Sequence, residues 1–519
     1  MANKNVFKSN SSVSVDLRAV ADTRNRAGGV AYSLSDEEAL AALACTGTFN
    51  GTFYSTGEST LNEVVSRLTK VRPEFIAKLA VYAARDGFMK DSPALLLASL
   101  MVLDNESFKK AFPRVVYNGK MLRNFCQIVR SGAVGRKSFG SSAKRLIQNW
   151  LNSRTDEQLF EDSVGNDPSL ADVIKMVHPK PSNDSRAALY AYLIGKEYNA
   201  ENLPAIVKEF EAFKKAAPDS RTVPNVSFQL LTAQNLTNNE WKSIAQNAKF
   251  HMTRMNLSTF ARHGVFADEA LVGTITERLS SEKNVRAAKV FPYQLYTSYL
   301  HADPTIPASV RGALETAMEH ATRNIPKLVG NVLIGIDFSG SMGAPVTGSR
   351  GSATTVVSCN QVASLIAACV ARNSDSCDVY RFDTNATKIS LKKEDSVMTN
   401  ARLLTANGGG TDCASVLRAA NASKNMSNTV IIVSDTESWS NPYGGGKTNL
   451  MHEWAIFKKR NPQAKMVLID LAASTTTQAR TSNDILNVSG FSDAVFEVIT
   501  AFLEGQKEAW VKKIEAVEL

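Results

Sequence analysis

Residues 332–345 read VLIGIDFSGSMGAP: an apolar run ends in one carboxylate, Asp337, and hydroxyls follow at alternate positions, Ser339 and Ser341. Such a junction can hold a metal, cradle a phosphate, present a nucleophile, or simply turn. A phosphate loop needs Gly-Lys-Ser/Thr at the start of its helix, and no lysine follows here before Lys388. A nucleophile elbow needs G-x-S-x-G, but the order around Ser341 is Ser339-Gly340-Ser341-Met342-Gly343, without the first glycine. A plain turn explains the serines and glycines. It does not explain Thr411 in the glycine loop NGGGTDC, or Asp435 at the end of TVIIVSD. Two carboxylates and three hydroxyls form an all-oxygen donor set, which suits a hard divalent cation. Mg²⁺ is favoured because it keeps waters and accepts few protein ligands. Its incomplete shell leaves a position that a partner's carboxylate or phosphate could fill.

These donors need a scaffold that delivers them to one edge. NVLIGID, CDVYRFD, TVIIVSD and AKMVLIDL are continuous apolar runs, as expected of parallel strands covered on both faces. Between them lie VSCNQVASLIAACVARN, CASVLRAANASK and NLMHEWAIFKKR, each long enough for a crossover helix. The reading is a doubly wound α/β domain over residues 327–519, with its ligand beyond the carboxyl ends of the strands.

Residues 30–326 have a different texture. In LNEVVSRLTKVRPEFIAKLAVYAARDG, Leu61, Val64, Val65 and Leu68 fall at helical spacing, and Phe75, Ile76, Leu79 and Ala83 repeat the stripe. Pro73 suits the first turn of that second helix. Further helical segments follow at short Gly/Pro or polar joints, which favours an array of HEAT-like hairpins bent into a ring or horseshoe. Residues 1–29 read as a polar arm.

Length and composition bound the rest. At 519 residues two or three domains are expected, and 44% hydrophobic with 21% charged residues is a globular composition. No segment reaches the roughly 18 to 20 uncharged apolar residues of a membrane span, and the first residues lack a signal-peptide core, so a cytoplasmic protein is expected. The six cysteines form no CxxC pair and read as buried thiols. From Asn331 onward there are 18 Lys+Arg against 18 Asp+Glu, so the net charge of +9 lies wholly in the first 330 residues. A basic module beside a neutral one points to a polyanion, most simply nucleic acid.

The pattern D-x-S-x-S with a later Thr and Asp resembles the metal-ion-dependent adhesion site of von Willebrand factor type A domains. The helical array ahead of it narrows the resemblance to the Ro autoantigen ribonucleoproteins. It is carried by VGRKSFGSSAKRLIQNWLN (134–152), LADVIKMVHPKPSNDSRAALYAYLIGK (170–196), GGTDCA (409–414) and ILNVSGFSDAVFEVITAFL (485–503). The resemblance implies that Asp337, Ser339 and Ser341 bind the ion directly, with Thr411 and Asp435 direct or through water. It implies a TROVE-like helical module that binds small noncoding Y-like RNA on its outer surface and single-stranded 3′ ends of misfolded RNA through a central hole. Roles in RNA quality control, tethering to an exoribonuclease, a monomeric state and no catalytic activity go with it.

Arg136, Lys137, Lys144 and Arg145 flank the small residues Ser138, Gly140, Ser141 and Ser142, so a phosphate backbone could approach a charged surface closely. His178 and Lys180 in VHPKP match the family's HxKP joint, a helix end being the bland alternative for His178. The acidic stretch TDEQLFEDSVGND (155–167) departs from the family, whose members tend to be basic there, and it weighs against a Y RNA grip. Tyr190, Tyr192 and Phe139 could stack on bases, although a core role suits each better. A different class of function is a metal-dependent scaffold that recruits an acidic partner through the type A domain.

Overall fold

The computed structural model describes residues 20–47, 49–218, 220–323, 325–349, 351, 357–404, 408–439 and 447–519. Residues 1–19 of the expected arm lie outside this set. From residue 22 the chain is tied down: β1 (Thr23–Arg24) pairs antiparallel with β2 (Val30–Ser33), and Asn25 is buried.

Nineteen α-helices follow among the described residues, from Asp36–Thr46 to Ala308–Thr322. Their starts are written in the sequence. Ser35 with Glu38, Thr155 with Gln158, Ser169 with Asp172 and Thr237 with Glu240 close reciprocal capping boxes. Pro73 opens helix Pro73–Arg85, whose Phe75, Ile76, Leu79 and Ala83 are all buried. The array curls until its two ends meet. Helices Asp36–Thr46 and Pro73–Arg85 pack on the C-terminal helix Ala509–Glu515, while Pro292–Leu300 and Ala308–Thr322 pack on Cys359–Asn373 and Val397–Leu403. Phe88 of the first part meets Phe291 of the last, ring centroids 4.5 Å apart. One apolar core runs from Leu40 through the array to Phe502 and Trp510, so the two modules share it.

The α/β domain is built on β3 (Leu328–Asp337), β4 (Ser374–Phe382), β5 (Ala386–Ile389), β6 (Thr429–Ser434), β7 (Lys465–Asp470), the two-residue β8 (Thr476–Thr477) and β9 (Ile485–Ser489). The main sheet has the order β5-β4-β3-β6-β7-β9, parallel except for the hairpin strand β5. Alternate residues face opposite cores. Val332, Ile334 and Ile336 join the large core, and Leu333 joins a second one with Val430, Trp454, Phe457 and Met466. This two-sided burial makes the strands continuous apolar runs. β8 leaves the main sheet and pairs antiparallel with β2, Tyr32 opposite Thr477. All six cysteines are free, five of them buried.

Candidate metal centre and nucleic-acid interface

The sheet register delivers the acids to one edge. Asp337 is the last residue of β3, opposite Phe382 of β4, and Asp435 directly follows β6. The Ser339 amide donates to Asp337 Oδ1 (2.7 Å), and the Ser339 and Ser341 hydroxyls lie 3.2 Å apart. The amide of Gly340 donates to the Gly409 carbonyl (3.0 Å), which draws the loop carrying Thr411 against the serine turn. The loop that carries Thr411 thus lies against the turn that carries the serines, and all five expected donors are buried: Asp337 is 0%, Thr411 2% and Asp435 3% exposed.

The electrostatics of this cluster call for a cation. Burial and the neighbouring Asp435 charge push the Asp337 carboxyl up to about 7, and burial raises Asp435 as well. Neither carboxylate is paired with a Lys, Arg or His among the described residues. A void of about 30 Å³ borders Ser341, Asp435, Glu437 and Tyr54, enough for an ion or a water. The donor set fits Mg²⁺: it is all oxygen and carries the negative charge the ion would neutralise. When bound, the ion would supply a fixed positive charge and one ordered coordination shell.

Four features of this centre escape the motif. The Ser434 hydroxyl donates to Asp337 Oδ2 (2.6 Å) and orients it. Two further buried acids, Glu437 and Asp470, stand nearby; burial pushes Glu437 up to about 7 and Asp470 upward too. Thr436 between Asp435 and Glu437 has φ 59, an uncommon value for a β-branched residue. Its amide is held by Ser434 Oγ (3.0 Å) and its carbonyl by Gln478 Nε2 (3.3 Å).

The fourth feature is a roof contributed by the rest of the chain. Tyr54 is in hydrogen-bonding contact with Ser341, and burial together with Asp435, Glu437 and Asp337 holds its hydroxyl above the ordinary value. Arg26 donates to the Ala473 carbonyl (2.6 Å) and makes a two-pronged pair with Glu63 (2.9 Å). The Ala27 amide donates to Glu437 Oε2 (3.1 Å). The void beside Ser341 and Asp435 is therefore bordered by Arg26 and Tyr54, from outside the α/β domain.

The expected basic residues gather elsewhere on the array. Lys144 and Arg145 lie on helix Gly140–Ser153, one turn before Gln148, whose amide donates to the Val177 carbonyl (2.6 Å). That bond sets this helix beside the end of helix Leu170–Val177, where His178 is the left-handed C-cap, φ 50. Lys137, Lys144, Arg145, His178 and Lys180 are exposed and make no ion pair among the described residues. Arg136 is half-buried and donates to the Ser138 carbonyl (2.7 Å). Within the acidic stretch, Asp156 pairs with Arg186 (2.6 Å) and Asp162 with Arg154 (3.0 Å), leaving Glu157, Glu161 and Asp167 exposed. Phe139 and Tyr190 are core residues, and the half-buried Tyr192 donates to Glu211.

A second basic surface was not visible in the sequence. A cavity of about 620 Å³ opens where the first helices, the last helices and the α/β domain meet. Lys90, Lys120, Arg254 and Lys289 line it with one acid, Asp91; burial holds His251 below its ordinary value, and Phe88, Tyr117, Tyr293 and Phe491 supply rings. Lys120 and Lys289 are exposed and without ion pairs among the described residues. These residues come from segments far apart in the chain, so no local pattern announces them.

A helical array curled back on itself, closed by a type A domain with a buried oxygen-rich rim, defines the class. Residues 331–503 match the family model described as the Ro60 vWA domain. Over 528 aligned residues the chain is 24% identical to a protein of Deinococcus radiodurans named RNA-binding protein RO60, covering 93% of this chain and 95% of that one. It is also similar to the crystal structure of the Deinococcus radiodurans Ro (Rsr) protein, with a TM-score of 0.61, 19% identity, 91% of this chain and all of that chain covered. The α/β domain thus matches the Ro60 vWA model, and the likeness to Ro proteins extends over nearly the whole chain.

Proposed function

We propose that this chain is a noncatalytic RNA-binding protein of the Ro type, acting in RNA quality control. The cation-lined cavity at the closure of the array carries the reading. Its lysines and arginine suit a phosphate backbone, its rings suit unpaired bases, and its position between three parts of the chain suits an entering strand end rather than a duplex. The exposed Lys144, Arg145, His178 and Lys180 form a second surface, suited to a structured Y-like RNA. The internal pairing of Asp156 and Asp162 lowers the repulsion that the acidic stretch would otherwise bring. Mg²⁺ held by Asp337, Ser339, Ser341, Thr411 and Asp435 serves the α/β domain and its junction with the helical module. Tethering to an exoribonuclease through the RNA and a cytoplasmic site of action belong to the same reading.

The test is binding of the purified chain to a structured RNA with and without a single-stranded 3′ tail, across a salt series. Tail-dependent binding should weaken by about 0.7 in log K per log unit of salt for each phosphate contacted on the single strand. Weak binding that ignores both tail and salt would refute the proposal.

A further inference from the structure

A second cavity, of about 370 Å³, lies beside the cation-lined one. His251 and Met255, one turn apart on helix Phe250–Met255, line both. The chemistry changes across that shared wall. On the far side Val226, Phe228, Met252 and Met255 supply apolar surface, while Asn225 and Asn247 supply amides. Neither asparagine has a side-chain hydrogen bond among the described residues, and both are exposed. Met255 is 71% exposed, held out at the boundary of the two cavities without cover. The two charges that reach this cavity, Glu161 and Lys249, are of opposite sign.

Apolar walls, unused amide edges and no net charge suit a flat, neutral heterocycle with hydrogen-bonding edges. The volume lies within the range of small-ligand pockets, about 300–1,000 Å³. A polarizable Met side chain makes favourable contacts with an aromatic ring, and an amide both donates and accepts. The adjoining cavity meanwhile offers cations to an anionic chain. A single-stranded nucleic acid combines both chemistries in one ligand.

We propose that the cavity between Phe228 and Met255 is a nucleobase pocket, which takes one unpaired base of a strand whose phosphates follow Lys120, Lys289 and their neighbours. This rests on the RNA-binding reading above and adds a subsite to it. It makes binding depend on one base at one place along the strand, beyond the charge of the backbone.

The experiment uses the full chain and a fluorescein-labelled single-stranded RNA of about a dozen nucleotides, with an abasic residue moved through it position by position. One position should cost about 5- to 150-fold in affinity, the range set by loss of a stacked base, and the others much less. In the Asn247→Ala, Met255→Ala variant that position should cost less than about twofold. Photo-cross-linking of the unaltered protein with 4-thiouridine at that position, which needs no variant to fold, should label residues 223–231 or 247–256. Salt-dependent binding with no sensitive position, or cross-links confined to other segments, would overturn the pocket and leave the RNA reading standing. Absence of salt-dependent binding to any of these RNAs would overturn both.

Discussion

Replacing Asp337 by Asn should stabilise the metal-free protein at alkaline pH while abolishing its response to Mg²⁺. Without an ion, Asp337 and Asp435 are two buried like charges, and Asp337 is displaced from its ordinary 3.8 to about 7. A carboxyl raised on folding binds its proton more tightly in the native state. Stability is therefore fully present below about pH 4 and is lost as pH rises toward 7. At about 1.36 kcal/mol per pH unit this displacement amounts to about 4 kcal/mol, shared by the pair because the two acids titrate together. Glu437, also pushed to about 7, adds in the same direction. For a domain of this size, about 4 kcal/mol is about 10 °C in melting temperature. Thermal melts in EDTA from pH 4 to 8 should show that fall, and millimolar Mg²⁺ should reverse it at pH 8 but not at pH 4, where protons compete for the same oxygens. In Asp337→Asn the fall should shrink and the Mg²⁺ effect vanish. A wild-type melting temperature indifferent to both pH and Mg²⁺ would refute the reasoning, since it would mean the carboxylates neither repel nor bind.

Reversing charge in Lys144→Glu, Arg145→Glu should weaken binding of a structured RNA and flatten its log K against log salt slope by about 0.9 for each phosphate no longer neutralised, read by filter binding. A slope equal to wild type would count against that surface. Tyr54→Phe removes the hydroxyl that meets Ser341 while keeping the ring. It should change Mg²⁺ affinity measured by calorimetry and raise proteolytic cleavage near residues 49–56, whereas unaltered Mg²⁺ binding and cleavage would show that Tyr54 only fills space. Glu240→Ala strands Arg221 in a pair whose side chains are 5% and 3% exposed, and should cost about 3–5 kcal/mol in urea unfolding. A loss under about 1 kcal/mol would mean that water reaches the guanidinium.

The oxygen-rich rim was legible because its pattern is local. Asp337, Ser339 and Ser341 lie within five residues, and each remaining donor follows a strand or glycine loop with its own signature. The four central parallel strands were equally plain, since burial on both faces writes them as unbroken apolar runs. β5 and β9 were missed for opposite physical reasons: Ala386–Ile389 is a four-residue edge with two exposed polar residues at its centre, and Ile485–Ser489 is a short run carrying the buried Asn487. The basic cavity was illegible in principle. Lys90, Lys120, His251 and Lys289 occupy separate helix ends and joints, and only the curl of the array gathers them. Residues 22–29 read as polar arm because their partners, Glu63, Glu437 and Ala473, are distant in sequence.

The pairing of β2 with β8 also bears on how the chain is made. Tyr32 leaves the ribosome early in synthesis, and its partner Thr477 is among the last residues to do so. At about 5–20 residues per second the intervening chain takes tens of seconds to synthesise. Through that interval one edge of β2 has no native partner, a liability that its length of four residues keeps small. Closure of the array is thus a late event in the life of each molecule, completed only after nearly the whole polypeptide exists.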